Sequence, residues 1–143
     1  MRVFCDGGAR GNPGPAGAGA VIYKGDPSTH SGQAKEIAHV SKYLGTQTNN
    51  WAEYEALILA LQTTHKVLGS PVTAHVTVKM DSELIVKQMK GEYKVKNPDL
   101  KEKHERVRLL IMEAFPNIRF MHVPREQNKV ADQYANDAMD RGS

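Results

Sequence analysis

Five short segments of the chain combine apolar and β-branched residues in the pattern typical of β-strands. They are residues 1–6, 18–25, 34–45, 75–81 and 117–123. Alternation is clearest in HVTVKMD, residues 75–81, where apolar and polar side chains follow one another. The first three predicted strands follow each other directly, whereas helical patterns precede each of the last two.

Longer segments with apolar residues three or four positions apart predict helices. These segments cover about 48–68, 82–90, 97–115 and 128–139. Thr48, Ser82 and Asn97 each have the side-chain oxygen that caps a helix N-terminus. Three strands, then a helix, a strand, two helices, a strand and a last helix predict an α/β fold, a mixed sheet with helices on its faces.

Glycine and proline mark the turns between these elements. Residues 7–17, GGARGNPGPAG, contain five glycines and two prolines and predict an irregular loop. A Gly-Asp-Pro-Ser turn at 25–28 is expected to join the second and third strands, and Gly69 to end the first helix. No repeat, low-complexity tract or flexible linker divides the chain, so residues 1–143 are expected to form a single domain.

Basic residues are concentrated in one part of the chain. The net charge is +3, and 40% hydrophobic with 24% charged residues is ordinary for a globular protein. The window 87–108 holds eight Lys or Arg residues against four acids, so it contributes +4 and leaves −1 for the rest. This concentration suits either a polyanion partner or a solvated helix surface.

Cys5 is the single cysteine, so no disulfide can form within the chain. Its place in an alternating strand suits a small core residue better than a reactive thiol. No apolar run reaches the ~20 residues of a membrane span, and MRVFCD turns polar too early for a secretory signal. These features predict a cytoplasmic protein without membrane contact.

Four acids occupy unusual positions in the predicted elements. Asp6 and Asp81 end apolar strands. Glu53 lies on the apolar face of the first helix, and Asp132 opens a helical turn. Each alone is an ordinary capping or surface acid, but a cluster of them would repel unless a cation compensated. Carboxylates without Cys or His suit Mg²⁺ or Mn²⁺, and two such ions about 4 Å apart can promote phosphodiester cleavage.

Four stretches around these acids resemble the signature blocks of ribonuclease H, type 1. The stretches are DGGARGNPGPAGAGAVI, TNNWAEYEAL, MDSELIVKQM and VPREQNKVADQYAN, and they span nearly the whole chain. The resemblance implies a five-stranded mixed sheet, three antiparallel strands then two parallel ones, with helices on both faces. It also implies an endonuclease that cleaves the RNA strand of RNA/DNA hybrids by a two-metal-ion mechanism, leaving 5′-phosphate and 3′-hydroxyl ends.

The resemblance assigns catalytic and metal-binding roles to Asp6, Glu53, Asp81 and Asp132. Two Mg²⁺ ions, or Mn²⁺ as a substitute, would be bound together with substrate. Asp6 would bridge both ions, and Asp132 would hold the ion that activates water.

A second group of residues would contact the hybrid. Its members are Gly7, Gly8, Arg10, Asn12, Thr48, Asn49, Asn50 and Ser82. Asn12 resembles the asparagine that contacts a 2′-hydroxyl, beside glycines that allow close backbone approach. Thr48 and Asn49 are also explained as helix caps, and Trp51 either stacks on a sugar or packs on the sheet.

The chain departs from the family pattern in two places. HVPREQNKVAD is shorter than the family's flexible histidine-bearing loop, which leaves two auxiliary candidates. His122 is either catalytic or a structural strand residue, and Arg125 either contacts the scissile phosphate or pairs with an acid. The family's basic protrusion is missing, so this is a short form in which Lys90, Lys94 and Lys96 remain as a reduced basic patch.

The predicted function is therefore a monomeric, metal-dependent endonuclease whose partner is an RNA/DNA hybrid. The alternative is a non-catalytic nucleic-acid-binding module of the same fold, and a third possibility is a metal nuclease that acts on DNA. Retention of all four acids favours an enzyme, and the GNPG and TNN motifs favour a hybrid substrate.

Overall fold

The structure, a computed structural model, describes residues 1–25 and 35–143. The strands are β1 Arg2–Ala9, β2 Gly14–Lys24, β3 Lys35–Gln47, β4 Val76–Met80 and β5 Ile118–His122. The helices are α1 Asn49–Leu68, α2 Glu83–Met89, α3 Pro98–Ala114 and α4 Lys129–Arg141, with a short 3₁₀ helix at Arg125–Gln127. Every predicted strand and helix is present in the predicted order. The turn predicted at 25–28 lies outside the described residues after Gly25.

The sheet has the strand order β3-β2-β1-β4-β5. β2 pairs antiparallel with both β1 and β3. β4 pairs parallel with β1 on one side and with β5 on the other. The mixed topology expected from the resemblance is confirmed.

Helices cover both faces of the sheet, and glycines in the strands allow them to approach closely. A Cβ added to Gly7 would lie 2.2 Å from the Ala52 carbonyl oxygen of α1. One added to Gly19 would lie 2.0 Å from the Ala131 carbonyl oxygen of α4. Because Asp6 is paired with Gly19 and precedes Gly7, Asp6 points to the α4 face while Gly7 points to the α1 face.

The prediction of a long loop over residues 7–17 is wrong. β1 continues to Ala9 and β2 begins at Gly14, so only residues 10–13 connect them. Glycine and proline composition indicated a turn, but Gly7 and Gly17 lie in paired strands where helix backbones pass too close for a side chain. Asp6 consequently lies within β1 and not at its end.

The apolar core lies between the sheet and α1, and α3 packs on the outside of α1. Val3, Cys5, Leu57, Ile58 and Val78 are all fully buried. Cys5 is therefore a core residue, as expected. Among residues 1–25 and 35–143, no helix has both the length and the apolar character that crossing a membrane requires.

The helix caps predicted at Thr48, Ser82 and Asn97 are confirmed, whereas the side chain of Asn49 does not cap α1. The Thr48 hydroxyl accepts from Trp51 N at 3.3 Å, and the Ser82 hydroxyl accepts from Ile85 N at 3.3 Å. The Asn97 side chain accepts from two backbone amides at the start of α3. These caps fix where α1, α2 and α3 begin relative to the strand ends that carry the acids.

The connection between α2 and α3, residues 90–97, contains no helix, as expected for a form without the basic protrusion. Trp51 at the start of α1 packs against α3, where the Lys103 ammonium lies 3.7 Å from the centre of its indole ring. Lys103 is buried and forms a salt bridge of 3.1 Å with Glu55. Trp51 therefore packs on α3 and not on the sheet; because its side chain is only partly buried, stacking on a sugar stays a prediction.

Candidate active site

Three of the acids meet where β1 runs past the end of β4. The parallel register pairs Phe4 with Lys79, so two residues further along Asp6 lies beside Asp81. The first turns of α1 pass over Gly7 and bring Glu53 to the same point. Asp6, Glu53 and Asp81 each offer a carboxylate oxygen, and these oxygens all lie within 4.8 Å of one another.

Asp132, in the first turns of α4, completes the group. Its carboxyl lies within hydrogen-bonding reach of Asp6. All four acids line one cleft of about 390 Å³, together with Gly7, Gly8, Ala9, Arg10, Asn49 and Arg125. The structure thus brings together the four acids that sequence analysis selected from four separate segments.

Burial and repulsion from neighbouring acids make two of these carboxylates, Asp6 and Glu53, hard to ionise. Burial, followed by the charge of Asp81 and a hydrogen bond to Asp132, raises the pKa of Asp6 to about 9. Burial raises the pKa of Glu53 to about 7, with a smaller contribution from Asp81 and an opposing hydrogen bond from Ser82. The negative charge of the cluster is therefore unfavourable unless a positive charge compensates it.

The two arginines that line the cleft, Arg10 and Arg125, do not supply that charge through a salt bridge. Among residues 1–25 and 35–143, none of the four acids takes part in a salt bridge. Arg10, at the rim of the cleft, is paired with Asp140 at 2.7 Å. Oxygen-only ligands at this spacing suit a hard divalent cation, so the residues present fit the metal that the four acids predict.

Asn128 is a residue of the site that sequence analysis did not select. It is 1% exposed, and its side-chain amide donates to a carboxylate oxygen of Asp81 and to the Cys5 carbonyl oxygen, both at 3.0 Å. Asn128 therefore holds Asp81 against β1. Its place one helical turn before Asp132 in NKVAD was the available signal.

The residues predicted to contact the hybrid fall into two neighbouring hollows. Gly7, Gly8, Arg10 and Asn49 line the acidic cleft. Asn12, Thr48 and Asn50 line an adjoining groove of about 570 Å³, together with Trp51 and the start of α3. Ser82 lines neither hollow; it caps α2 and hydrogen-bonds to Glu53.

Two asparagines connect the cleft and the groove. Asn49 N donates to the Asn12 side-chain oxygen at 3.0 Å, and Ala9 N donates to the Asn49 side-chain oxygen at 3.2 Å. These bonds tie the β1–β2 connection to the N-terminus of α1. They leave Asn12 exposed at the boundary between the two hollows.

The two auxiliary candidates are placed differently. Arg125 lies in the 3₁₀ helix and lines the acidic cleft. His122 is exposed at the end of β5 and is outside the residues that line the cleft. A catalytic role for either residue stays a prediction, and the geometry places only Arg125 beside the acids.

Known proteins share this sequence and architecture. Residues 4–138 match the family described as reverse transcriptase-like. A bifunctional protein of Mycobacterium tuberculosis is 46% identical over 138 residues, which are 96% of this chain and 35% of that protein. The chain thus spans about a third of the length of that relative.

Solved structures of ribonucleases are similar over the whole chain. LC11-RNase H1, isolated from compost by a metagenomic approach, is 48% identical with a TM-score of 0.86, covering 98% of this chain and 95% of that one. It has also been crystallised in complex with an RNA/DNA hybrid. RNase H1 from the halophilic archaeon Halobacterium salinarum is 37% identical with a TM-score of 0.85, covering 98% and 97%.

These matches agree with the sheet topology and with the four signature blocks around the acids. The chain therefore belongs to the type 1 ribonuclease H family.

Proposed function

We propose that this chain is an endonuclease that hydrolyses the RNA strand of RNA/DNA hybrids. Divalent metal ions, Mg²⁺ or Mn²⁺, would be held by Asp6, Glu53, Asp81 and Asp132, and the products would carry 5′-phosphate and 3′-hydroxyl ends. The observation that carries the proposal is the cluster of half-buried carboxylate oxygens of Asp6, Glu53 and Asp81, which lie within 4.8 Å of one another in the cleft that Asp132 also lines.

Two divalent cations held by these acids would supply Lewis-acid chemistry, which would lower the pKa of an attacking water and offset charge on the departing oxygen. The protein's own contribution is to hold the carboxylates rigidly in a partly buried cleft. Asn128 fixes Asp81, and Ser82 hydrogen-bonds to Glu53. Such supporting contacts orient ligands and tune metal affinity.

The groove beside the cleft supports a double-stranded substrate. Its polar lining of Asn12, Thr48 and Asn50 is continuous with Asn49 in the cleft. A duplex whose RNA strand lies at the acids would place its second strand in this groove. Asn12, at the boundary, would contact a 2′-hydroxyl, which distinguishes RNA from DNA.

A cleavage assay tests the proposal. Labelled RNA/DNA hybrid, RNA/RNA and DNA/DNA of one sequence are incubated with Mg²⁺, and again with excess chelator. We expect only the RNA strand of the hybrid to be cut, and only with metal. Full activity in chelator, or equal cutting of duplex DNA, would contradict the proposal. Binding of hybrid without any cleavage would favour the non-catalytic module.

Asp6→Asn gives the decisive variant. It should lower kcat by roughly a hundredfold or more, because a neutral amide cannot balance two dications. Asp137→Asn is the matched control, since Asp137 lies on α4 but outside the acidic cleft. A variant Asp6→Asn that kept most of the activity would remove Asp6 from the proposed role.

That residues 1–143 act as a single domain, as a monomer and in the cytoplasm stays a prediction. The proposed activity is that of the family domain alone.

A further inference from the structure

The sheet face that carries α4 has an open half. α4 packs on β1, β2 and β3, while the side chains that point to the same face from β4 and β5 border a hollow of about 420 Å³. Strand alternation sends Arg2, Thr77, Lys79, Arg119 and Met121 into this hollow. The neighbouring residues on the opposite face, such as Val3 and Val78, are in the core.

Three cations meet on this surface, and no acid among the described residues forms a salt bridge with them. In the part of the chain that the structure describes, Arg2, Lys79 and Arg119 make no salt bridge. Burial, and then the charges of Arg2 and Arg119, lower the pKa of Lys79. Like charges held this close oppose each other, and an anion placed among them would relieve that repulsion.

Aromatic rings are interleaved with the cations. The Arg2 guanidinium lies 5.4 Å from the ring centre of Tyr23 and 6.0 Å from that of Phe4. The Lys79 ammonium lies 5.4 Å from the ring centre of Phe4. Phe4 and Tyr23 are themselves in edge contact, with ring centres 5.8 Å apart. Rings beside positive charges on an open sheet are the combination that holds unpaired bases and their phosphates.

This surface is separate from the acidic cleft, although both use the same sheet face. The first turn of α4 lies between them. Asn128, Val130 and Ala131 border the groove beside Phe4 and Tyr23, whereas Asp132 borders the cleft. A ligand on the open half therefore does not compete with one at the acids.

We propose that Arg2, Phe4, Tyr23, Lys79 and Arg119 form a platform for single-stranded nucleic acid. The cations contact phosphates and the rings contact bases. An acidic polypeptide would neutralise the cations but would not stack on the aromatic rings. The presence of the rings therefore favours nucleic acid. The inference does not depend on the proposed cleavage, because a single strand is not the proposed substrate and its binding is measured without turnover.

Fluorescence anisotropy with a labelled single-stranded DNA oligonucleotide tests the platform. The double variant Lys79→Gln, Arg119→Gln should weaken binding at low salt by about fivefold or more. It should also reduce the slope of log K against log salt by about 1.4, since each phosphate contact on a single strand contributes about 0.7. The matched control Lys66→Gln, Arg108→Gln removes the same charge from α1 and α3 and should leave the slope unchanged.

Two further arms separate nucleic acid from an acidic polypeptide. Phe4→Leu keeps the cations, so the slope should stay while affinity for the oligonucleotide falls by about fivefold. Poly-glutamate of similar charge should bind more weakly than the oligonucleotide. Equal binding of poly-glutamate together with no effect of Phe4→Leu would overturn the proposal, as would equal slopes for the platform and control variants. Melting curves verify that each variant is folded. If the double variant is unstable, the single variant Arg119→Gln, at an exposed position, replaces it and should lower the slope by about 0.7.

Discussion

At the level of single side chains, the unusual feature of the cleft is that half-buried acids face each other without a salt bridge to any described cation. Such an arrangement lowers the stability of the metal-free protein and is tolerated where function needs it. The pKa of Asp6, raised to about 9, reflects this loss of stability. The free energy of unfolding of the metal-free protein should therefore depend on pH in a specific direction.

Asp6→Asn should stabilise the metal-free protein, and by more at higher pH. In unfolded chains Asp loses its proton near pH 4, whereas folded Asp6 keeps it until about pH 9. Between these values the unfolded state binds fewer protons, so the free energy of unfolding of the wild type falls as pH rises. The gain from Asp6→Asn should be near zero at pH 4 and roughly 1–3 kcal/mol at pH 8.

Denaturant melts in chelator at several pH values measure this gain. Asp137→Asn provides the comparison, because it removes an acid on α4 outside the cleft. A lower stability of Asp6→Asn throughout this range would mean that Asp6 has a structural role, as an ion-pair partner or cap.

Asn128→Ala should uncouple Asp81 from β1. The loss of two buried hydrogen bonds should lower the free energy of unfolding by about 1–2 kcal/mol. The decrease should lie near the lower value, because the substitution also removes the buried Asn128 side-chain oxygen, which has no hydrogen-bond partner among the described residues. Mg²⁺ affinity, measured by calorimetry, should fall by about tenfold. Gln133→Ala, an exposed change on the same helix, should alter neither quantity; unchanged Mg²⁺ affinity in Asn128→Ala would argue against the positioning role.

The sequence was sufficient to find the four acids but not Asn128. Each acid interrupts a local pattern: a carboxylate in an apolar strand or on an apolar helix face is visible without coordinates. Asn128 has no such local signature. Its role depends on a contact with Cys5, more than a hundred residues earlier, which only the fold creates.

At the level of secondary structure, the position of α4 depends on glycines in β2. Gly17 and Gly19 lie beneath this helix, and added Cβ atoms would lie 2.5 and 2.0 Å from carbonyl oxygens of Ala135 and Ala131. Since α4 carries Asp132, the glycines in β2 set how near that acid comes to Asp6. Gly17, like Gly7 in β1, contributed to the wrong sequence prediction of a loop at 7–17, because composition cannot distinguish a turn from a close helix–strand contact.

Gly19→Ala should therefore displace α4. Overlap with a backbone oxygen cannot be relieved by a rotamer change, so the free energy of unfolding should fall by about 3 kcal/mol, measured by urea denaturation. Cleavage of hybrid should fall as well, because Asp132 moves with the helix. Gly8→Ala is the control for stability, since its Cβ would be 3.4 Å from the nearest atom, Asn49 Oδ1. Equal stability of the two variants would contradict this account of the packing.

At the level of the whole molecule, the basic residues of window 87–108 fall into two groups, those that contact an acid or an aromatic ring and those without a salt bridge among the described residues. Lys87 forms a salt bridge with Glu83 at 2.8 Å, and its ammonium lies 4.9 Å from the ring centre of Tyr93. Lys103 is buried against Glu55 and Trp51. A charge count along the sequence could not distinguish these paired lysines from unpaired ones, because their partners lie a helical turn away or on another element.

Lys90, Lys94 and Lys96 are the free charges that remain at the place of the missing protrusion. All three are exposed, and none takes part in a salt bridge within the described ranges. They follow α2, which begins at Glu83, two residues after Asp81. A hybrid bound at the acids would therefore have its backbone within reach of this connection.

Replacing Lys90, Lys94 and Lys96 together by Ala should raise KM for hybrid cleavage and leave kcat nearly unchanged. These lysines would contact phosphates equally in the ground state and the transition state, which changes binding without changing the chemical step. The slope of log K against log salt for hybrid binding should fall by roughly 2–3, one unit or slightly less for each lost phosphate contact. Lys42→Ala, Lys66→Ala and Arg108→Ala in combination remove the same charge elsewhere and should change KM much less. If KM and the slope are the same for both triple variants, the connection is a solvated surface, and the hybrid is held by the groove around Asn12 and Asn50.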